Sequence, residues 1–227
     1  MRTSVICFDM DGTLVDTAPD LVGALNAVLS TRGYPVIKHD IAKTMIGHGA
    51  GAMIQNGLRL IGTSVSNDEL AQMEAEFGAH YDANYTATSK VFEGVPDGLK
   101  TLNQDGHALA VCSNTGEALV RRILTEFDLI DHFEVVCGGD TTETKKPDPG
   151  SLQQTIKSAG GDIDRALLVG DAETDIEAAK RAGVSVVALE YGYSFNPVAE
   201  FKPTQVAANF PAAIAAVRKL TTRFQTA

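Results

Sequence analysis

No stretch of this sequence is apolar for long enough to cross a bilayer. The only early apolar run, Val5 to Phe8, is cut off by Asp9 and is too short for a signal-peptide core, and nothing later approaches the roughly 18 apolar residues of a spanning helix. A cytoplasmic protein without a membrane partner is therefore expected. Basic runs are missing too. With 29 acidic residues against 19 Lys and Arg, a formal charge of -10, no cationic stripe is available to release counterions from a phosphate backbone, so nucleic acid is not an expected partner. The same balance disfavours an anionic membrane surface. Cysteine is scarce: Cys7, Cys112 and Cys137 sit in apolar runs without C-x-x-C or Cys/His spacing, which excludes zinc and dithiol motifs and leaves buried free thiols as the expectation. Repeats and low-complexity tracts are absent. An apolar share of 44% excludes full disorder, and 21 Gly and 8 Pro without a period exclude a fibrous chain.

What the chain does have is a rhythm. Short apolar runs, expected as strands at 4–8, 108–112, 135–137, 166–169, 184–188 and 205–208, alternate with helical periods at 98–104, 117–127, 150–158, 174–182 and 211–220. Such alternation is the mark of an α/β protein with an open parallel, Rossmann-like sheet core. Between the first two strands the rhythm breaks. Residues 17–91 show only helical stretches, near 19–31, 40–45, 50–61 and 67–85, and read as an inserted all-helical cap domain. The expected organisation is core over 1–16, cap over 17–91 and core again over 92–227, with hinges near 15–17 and 92–96 that let the cap close over a site. Thr17, with Pro19 in the first turn and Asp20 three residues on, reads as a helix cap.

In an open parallel sheet, ligands bind beyond the carboxyl ends of the strands. Four expected strands end there in polar residues: Asp9 and Asp11, Ser113 and Asn114, Lys145 and Lys146, then Asp171 and Asp175. Each alone has a plainer reading. Asp11-Gly12 could be a hairpin turn, although the flank leads into a helix rather than a partner strand; the lysines could be a solvated pair, and the last acids an ordinary helix start. Together, acid, hydroxyl, base and acid at four strand ends point to one site.

With these residues in place, the sequence resembles the haloacid dehalogenase-like hydrolases. The family's first motif matches Asp9-Met10-Asp11-Gly12-Thr13-Leu14, its second Ser113, its third Lys146 directly before Pro147, and its fourth Gly170 to Asp175. The likeness covers nearly the whole chain, insert included. It implies a Mg²⁺-dependent phosphomonoester hydrolase acting on a small phosphorylated metabolite through an aspartyl phosphate. Asp9 would then be the nucleophile and Asp11 the general acid and, later, the base. Lys146 would hold nucleophile and phosphate, and Ser113 and Asn114 would bind the phosphoryl oxygens. Lys145 is the rival lysine. The metal would take the carboxylates of Asp9 and Asp171 and the main-chain carbonyl of Asp11, with Asp175 supporting those ligands from one helical turn on. Formal charge agrees, because four carboxylates against one lysine would repel a dianionic substrate, whereas one Mg²⁺ and one proton on Asp11 remove the repulsion.

Within the family, Leu14 to Leu21 and the stretch Ile46-Gly47-His48-Gly49 resemble the members that hydrolyse 2-phosphoglycolate, which implies that substrate; Gly47 and Gly49 read as a substrate-facing cap loop or as a plain break between cap helices. A sugar phosphomutase on the same core stays open. So, from another class, does a phosphoaspartate receiver or a binding protein, although the helical insert counts against a receiver. His39, His80, His107 and His132 lack ligand spacing and are expected as surface or capping residues; Tyr191-Gly192-Tyr193 has no role that chemistry assigns, and oligomeric state is unknown.

Overall fold

The computed structural model describes residues 4–225. In chain order its elements are β1 (Val5–Phe8), β2 (Val15–Asp16), α1 (Ala18–Thr31), α2 (His39–Ala42), α3 (Ala50–Leu60), α4 (Asn67–Asn84), β3 (Lys90–Val91) and α5 (Val95–Gln104). There follow β4 (Ala108–Cys112), α6 (Glu117–Glu126), β5 (Val135–Cys137), α7 (Pro149–Ser158), β6 (Ala166–Gly170), α8 (Glu173–Ala182), β7 (Ser185–Leu189), β8 (Gln205–Ala207) and α9 (Phe210–Thr221). The chain divides into two compact units, Met1–Val15 with Val91–Ala227, and Asp16–Lys90. No helix among the described residues is long and apolar enough to cross a membrane.

The first unit is α/β. Its sheet has six strands in the order β5-β4-β1-β6-β7-β8, and every pairing is parallel. The strands read as continuous apolar runs because both faces are covered. Cys7, Ala110, Leu168 and Val186 pack with Leu152 and Ile156 of α7 and Ile176 of α8. On the other face lies Phe8, its ring 6.0 Å from Phe210 of α9 and 6.2 Å from Phe133. The three thiols are buried and free, and Cys112 stands beside Cys137 in the β4–β5 register. From β1 the chain steps outward to β4 and β5, then returns to build β6, β7 and β8 on β1's other side. This reversal makes the carboxyl ends of β4, β1 and β6 the switch point where a doubly wound sheet leaves a crevice.

Asp11-Gly12 lies in a tight turn but not in a hairpin, since β2 beyond it pairs with β3 and not with β1. The Met10 carbonyl accepts from the backbone N–H groups of Thr13, Leu14 and Val15, and Gly12 adopts φ 79°. His107 departs from expectation: it is buried, with Nδ1 2.7 Å from the Ser4 hydroxyl, and burial lowers its pKa.

The second unit is helical, with α4 packed on α1 and α3 around buried Leu25, Leu29, Ile54, Met73 and Phe77. The expected Thr17–Asp20 cap does not form, since the Thr17 side chain makes no cap bond to α1. Asp20 instead accepts from the backbone N–H of Thr88 (3.0 Å) and of Ser89 (2.8 Å), and from both hydroxyls, tying the end of this unit to its first helix. Burial alone would raise the Asp20 pKa, but the Ser89 and Thr88 hydrogen bonds outweigh it and hold the carboxylate below its usual range. Asp20→Ala is therefore expected to cost about 3 kcal/mol, the scale of hydrogen bonds to a charged group, read as a lower denaturant midpoint at unchanged slope. A depressed folded-state pKa contributes stability above the unfolded value near 4 and loses it as pH falls, so the deficit should shrink in acid.

Candidate active site

β1 delivers Asp9. Its backbone N–H continues the ladder to the Val169 carbonyl at 2.9 Å, which fixes the side chain at the sheet's carboxyl edge. Asp9 Oδ1 accepts from the Met10 N–H at 2.7 Å and meets Lys146 Nζ at 3.0 Å, and the same ammonium donates to Asp175 Oδ1 at 2.6 Å. Lys146 is buried whereas Lys145 is exposed, so the geometry separates the two lysines. The Lys146–Pro147 peptide is cis. Asp175, in the first turn of α8, accepts from the Ala172 N–H through Oδ2 at 3.1 Å and so closes the helix start.

Asp171 follows β6 and is 1% exposed. The Thr13 hydroxyl donates to its Oδ1 at 2.7 Å and the Tyr193 N–H to its Oδ2 at 2.8 Å. A Cβ at Gly12 or Gly192 would run into this carboxylate, so glycine at both positions lets the backbone close around it. The Tyr191 hydroxyl in turn donates to the Thr13 carbonyl at 2.6 Å, with its ring centroid 4.3 Å from that of Phe92. A cavity of about 350 Å³, lined by Gly192, Ser194 and Phe195 among others, opens beside Asp171.

Oxygen atoms of Asp9, Asp171 and Asp175 lie within 4.8 Å of one another. Burial pushes the Asp171 carboxyl up to about 7, helped by the charge of Asp175. Asp9 is driven upward chiefly by burial, with Lys146 pulling the other way. Burial would lower the Lys146 pKa, but Asp175 and Asp9 more than offset it and keep the ammonium charged. Three buried carboxylates with one lysine leave negative charge uncompensated. The donors are hard oxygens, and this set fits Mg²⁺, which favours carboxylate and water oxygens and would reverse the upward shifts.

Ser113 is buried, and its Oγ accepts from the Thr115 N–H at 3.1 Å. The side chain of Asn114, expected at the phosphate, engages the backbone of Lys146. Its Nδ2 donates to the Lys146 carbonyl and its Oδ1 accepts from the Lys146 N–H, each at 2.9 Å, so it aligns the lysine's backbone. The Asp11 carboxylate lies outside the acidic trio and accepts from the Thr115 hydroxyl at 2.7 Å. Gly47 and Gly49 belong to the second unit, at φ 113° and 90°, with Gly49 preceding α3. Thr13, Thr115, Tyr191 and the Tyr193 N–H had no role in the sequence reading. Thr115 lies one residue past Asn114 and the tyrosines follow β7, so reading a few residues further past the strand ends reaches them.

A model of the haloacid dehalogenase-like hydrolase family matches residues 6–189. The phosphoglycolate phosphatase of Mesorhizobium japonicum is 38% identical over 212 residues, covering 93% of this chain and 93% of its own. That of Agrobacterium fabrum is 36% identical over 205 residues, covering 90% of this chain and 88% of its own. Among solved structures, a predicted phosphoglycolate phosphatase from Haemophilus somnus superimposes with a TM-score of 0.88 at 32% identity, over 96% of this chain and 99% of that one. The chain belongs to the haloacid dehalogenase-like hydrolases and stands among their phosphatases.

Proposed function

We propose that the protein hydrolyses 2-phosphoglycolate by way of an aspartyl phosphate on Asp9. The observation that carries this reading is the Asp9 carboxylate, held through one oxygen by the Met10 N–H and the Lys146 ammonium at a crevice rich in buried acid. With Oδ1 so occupied, Oδ2 is the attacking atom. It bonds to phosphorus as the ester P–O bond breaks, and the electron pair leaves with the substrate oxygen, which takes a proton from Asp11. Water then attacks the phosphorus, gives its proton to Asp11, and displaces the Asp9 oxygen, releasing inorganic phosphate. Lys146 keeps the nucleophile aligned while its charge offsets that of the phosphoryl group, and the Ser113 hydroxyl donates to a nonbridging oxygen. When bound by the carboxylates of Asp9 and Asp171 and the carbonyl of Asp11, Mg²⁺ supplies the remaining neutralisation of phosphoryl charge.

The core groups address only the phosphoryl group, so we assign the choice among monoesters to the helical unit and its Gly47–Gly49 loop. Support for 2-phosphoglycolate comes from the two curated relatives, which carry phosphoglycolate phosphatase as their name. A panel of small phosphomonoesters, assayed with Mg²⁺ and after chelation, tests the reading. The expected kcat/KM for 2-phosphoglycolate exceeds that for glucose 6-phosphate by at least about tenfold, the scale of a 1.4 kcal/mol binding difference. Chelation should abolish turnover and added Mg²⁺ restore it. Glucose 1-phosphate converted to its 6-phosphate isomer without release of inorganic phosphate would replace the phosphatase by a phosphomutase. Full turnover after chelation would remove the metal.

A further inference from the structure

Thr115 is half-buried beyond the end of β4, and each of its three polar groups is engaged. Its carbonyl accepts from the Gly139 N–H at 2.9 Å, which ties it to the loop after β5. Its N–H donates to Ser113 Oγ at 3.1 Å, and its hydroxyl donates to Asp11 Oδ2 at 2.7 Å. Gly139 seats this loop closely, since a Cβ there would strike the Asn114 carbonyl oxygen. One residue thus orients both the serine that would bind phosphate and the acid that would protonate the leaving group.

We infer that Thr115 is a positioning residue for leaving-group protonation: by donating to Asp11 Oδ2 it fixes the aim of the carboxyl group that would protonate the departing oxygen, which sets the rate for poor leaving groups. The inference rests on the aspartyl-phosphate reading above. A carboxyl group can turn about its terminal torsion, which is broad, unless a partner holds it. Threonine's branched Cβ restricts χ1, so the donor does not wander. Displacing a catalytic group by about 1 Å can cost a hundredfold in rate. The need is greatest where the departing oxygen is an alkoxide, which cannot leave without a proton, and least for a stabilised phenolate, which departs unaided.

Thr115→Val keeps the shape, and the backbone bonds to Ser113 and Gly139, while deleting the hydroxyl; Thr115→Ser restores the donor. For the full chain with Mg²⁺, kcat/KM is measured with 2-phosphoglycolate and with p-nitrophenyl phosphate, since this parameter reports transfer to the enzyme rather than hydrolysis of the intermediate. The expected loss in Thr115→Val is at least about tenfold for the alkyl ester, part of the 10²–10⁴ that general acid catalysis contributes, and less than about threefold for the aryl ester. Thr115→Ser should recover most of the alkyl rate, and both variants should unfold with wild-type midpoints. Equal losses on the two esters, or an undiminished alkyl rate in Thr115→Val, would overturn the assignment while leaving the phosphatase reading intact. Should the wild type hydrolyse neither ester, that reading fails and the assignment falls with it.

Discussion

Asp9→Asn is expected to lower turnover of any phosphomonoester by at least about a thousandfold, because on the proposed mechanism it replaces the attacking carboxylate oxygen by an amide. The amide keeps the shape of the carboxylate and can still face Lys146 and the Met10 N–H. Stability should not fall with activity. The Asp9 carboxyl is pushed upward chiefly by burial and also by Asp175, Asp171 and Asp11, so a neutral side chain relieves crowding that Lys146 only partly offsets. In metal-free buffer the unfolding midpoint of the variant should equal or exceed that of the wild type. Near wild-type turnover in Asp9→Asn would end the aspartyl-phosphate mechanism, and a collapse of the midpoint would show the residue to be structural.

Lys146→Met should have the largest effect on folding. The ammonium sits 3.0 Å from Asp9 and 2.6 Å from Asp175, with its side chain 1% exposed, and methionine fills the stem while leaving both carboxylates unpaired in a buried site. Breaking a buried pair by removing one partner costs about 3–5 kcal/mol, a large part of the 5–15 kcal/mol that typically separates folded from unfolded chains. The deficit should depend on pH in a definite sense. Without the lysine, nothing offsets the burial that already holds the Asp9 carboxyl above its unfolded value, so the folded variant binds extra protons. Its stability relative to wild type therefore improves as pH falls from 8 towards about 5 and worsens as pH rises. Denaturant titrations of both proteins at the two ends of that range read this directly. An equal deficit at both would show that packing, and not uncompensated charge, is what the lysine supplies.

Much of this protein is written locally. Both faces of the parallel sheet are covered, so each of its strands shows as an apolar run: β4 and β5 fall on the expected residues and the other four sheet strands shift by at most one residue at an end, whereas the two-residue β2 and β3 were not expected, and β3 lies in the stretch read as all-helical. Three of the polar strand ends were legible for the same reason, since Asp9, Ser113 and Asp171 each directly follow an apolar strand with a group that cannot be buried without a partner, whereas Lys146 stands in the polar loop after β5 and is marked by the Pro147 that follows it. Which partners they find is not local. The Thr13 hydroxyl reaches Asp171 across 158 positions and the Thr115 hydroxyl reaches Asp11 across 104, contacts that exist only because β4 and β6 flank β1. The same order buries Lys146 and leaves Lys145 exposed, turns Asn114 to the lysine's backbone, and closes Gly12 and Gly192 on one carboxylate. Asp20 has the sequence context of a cap, yet its carboxylate serves Thr88 and Ser89, because four donors at the end of the unit satisfy a buried charge better than one N–H of its own helix. Residue type and period thus specified the elements and the kinds of chemistry at their ends, whereas pairing, burial and aim were decided by strand order, which brings together groups that no local pattern can relate.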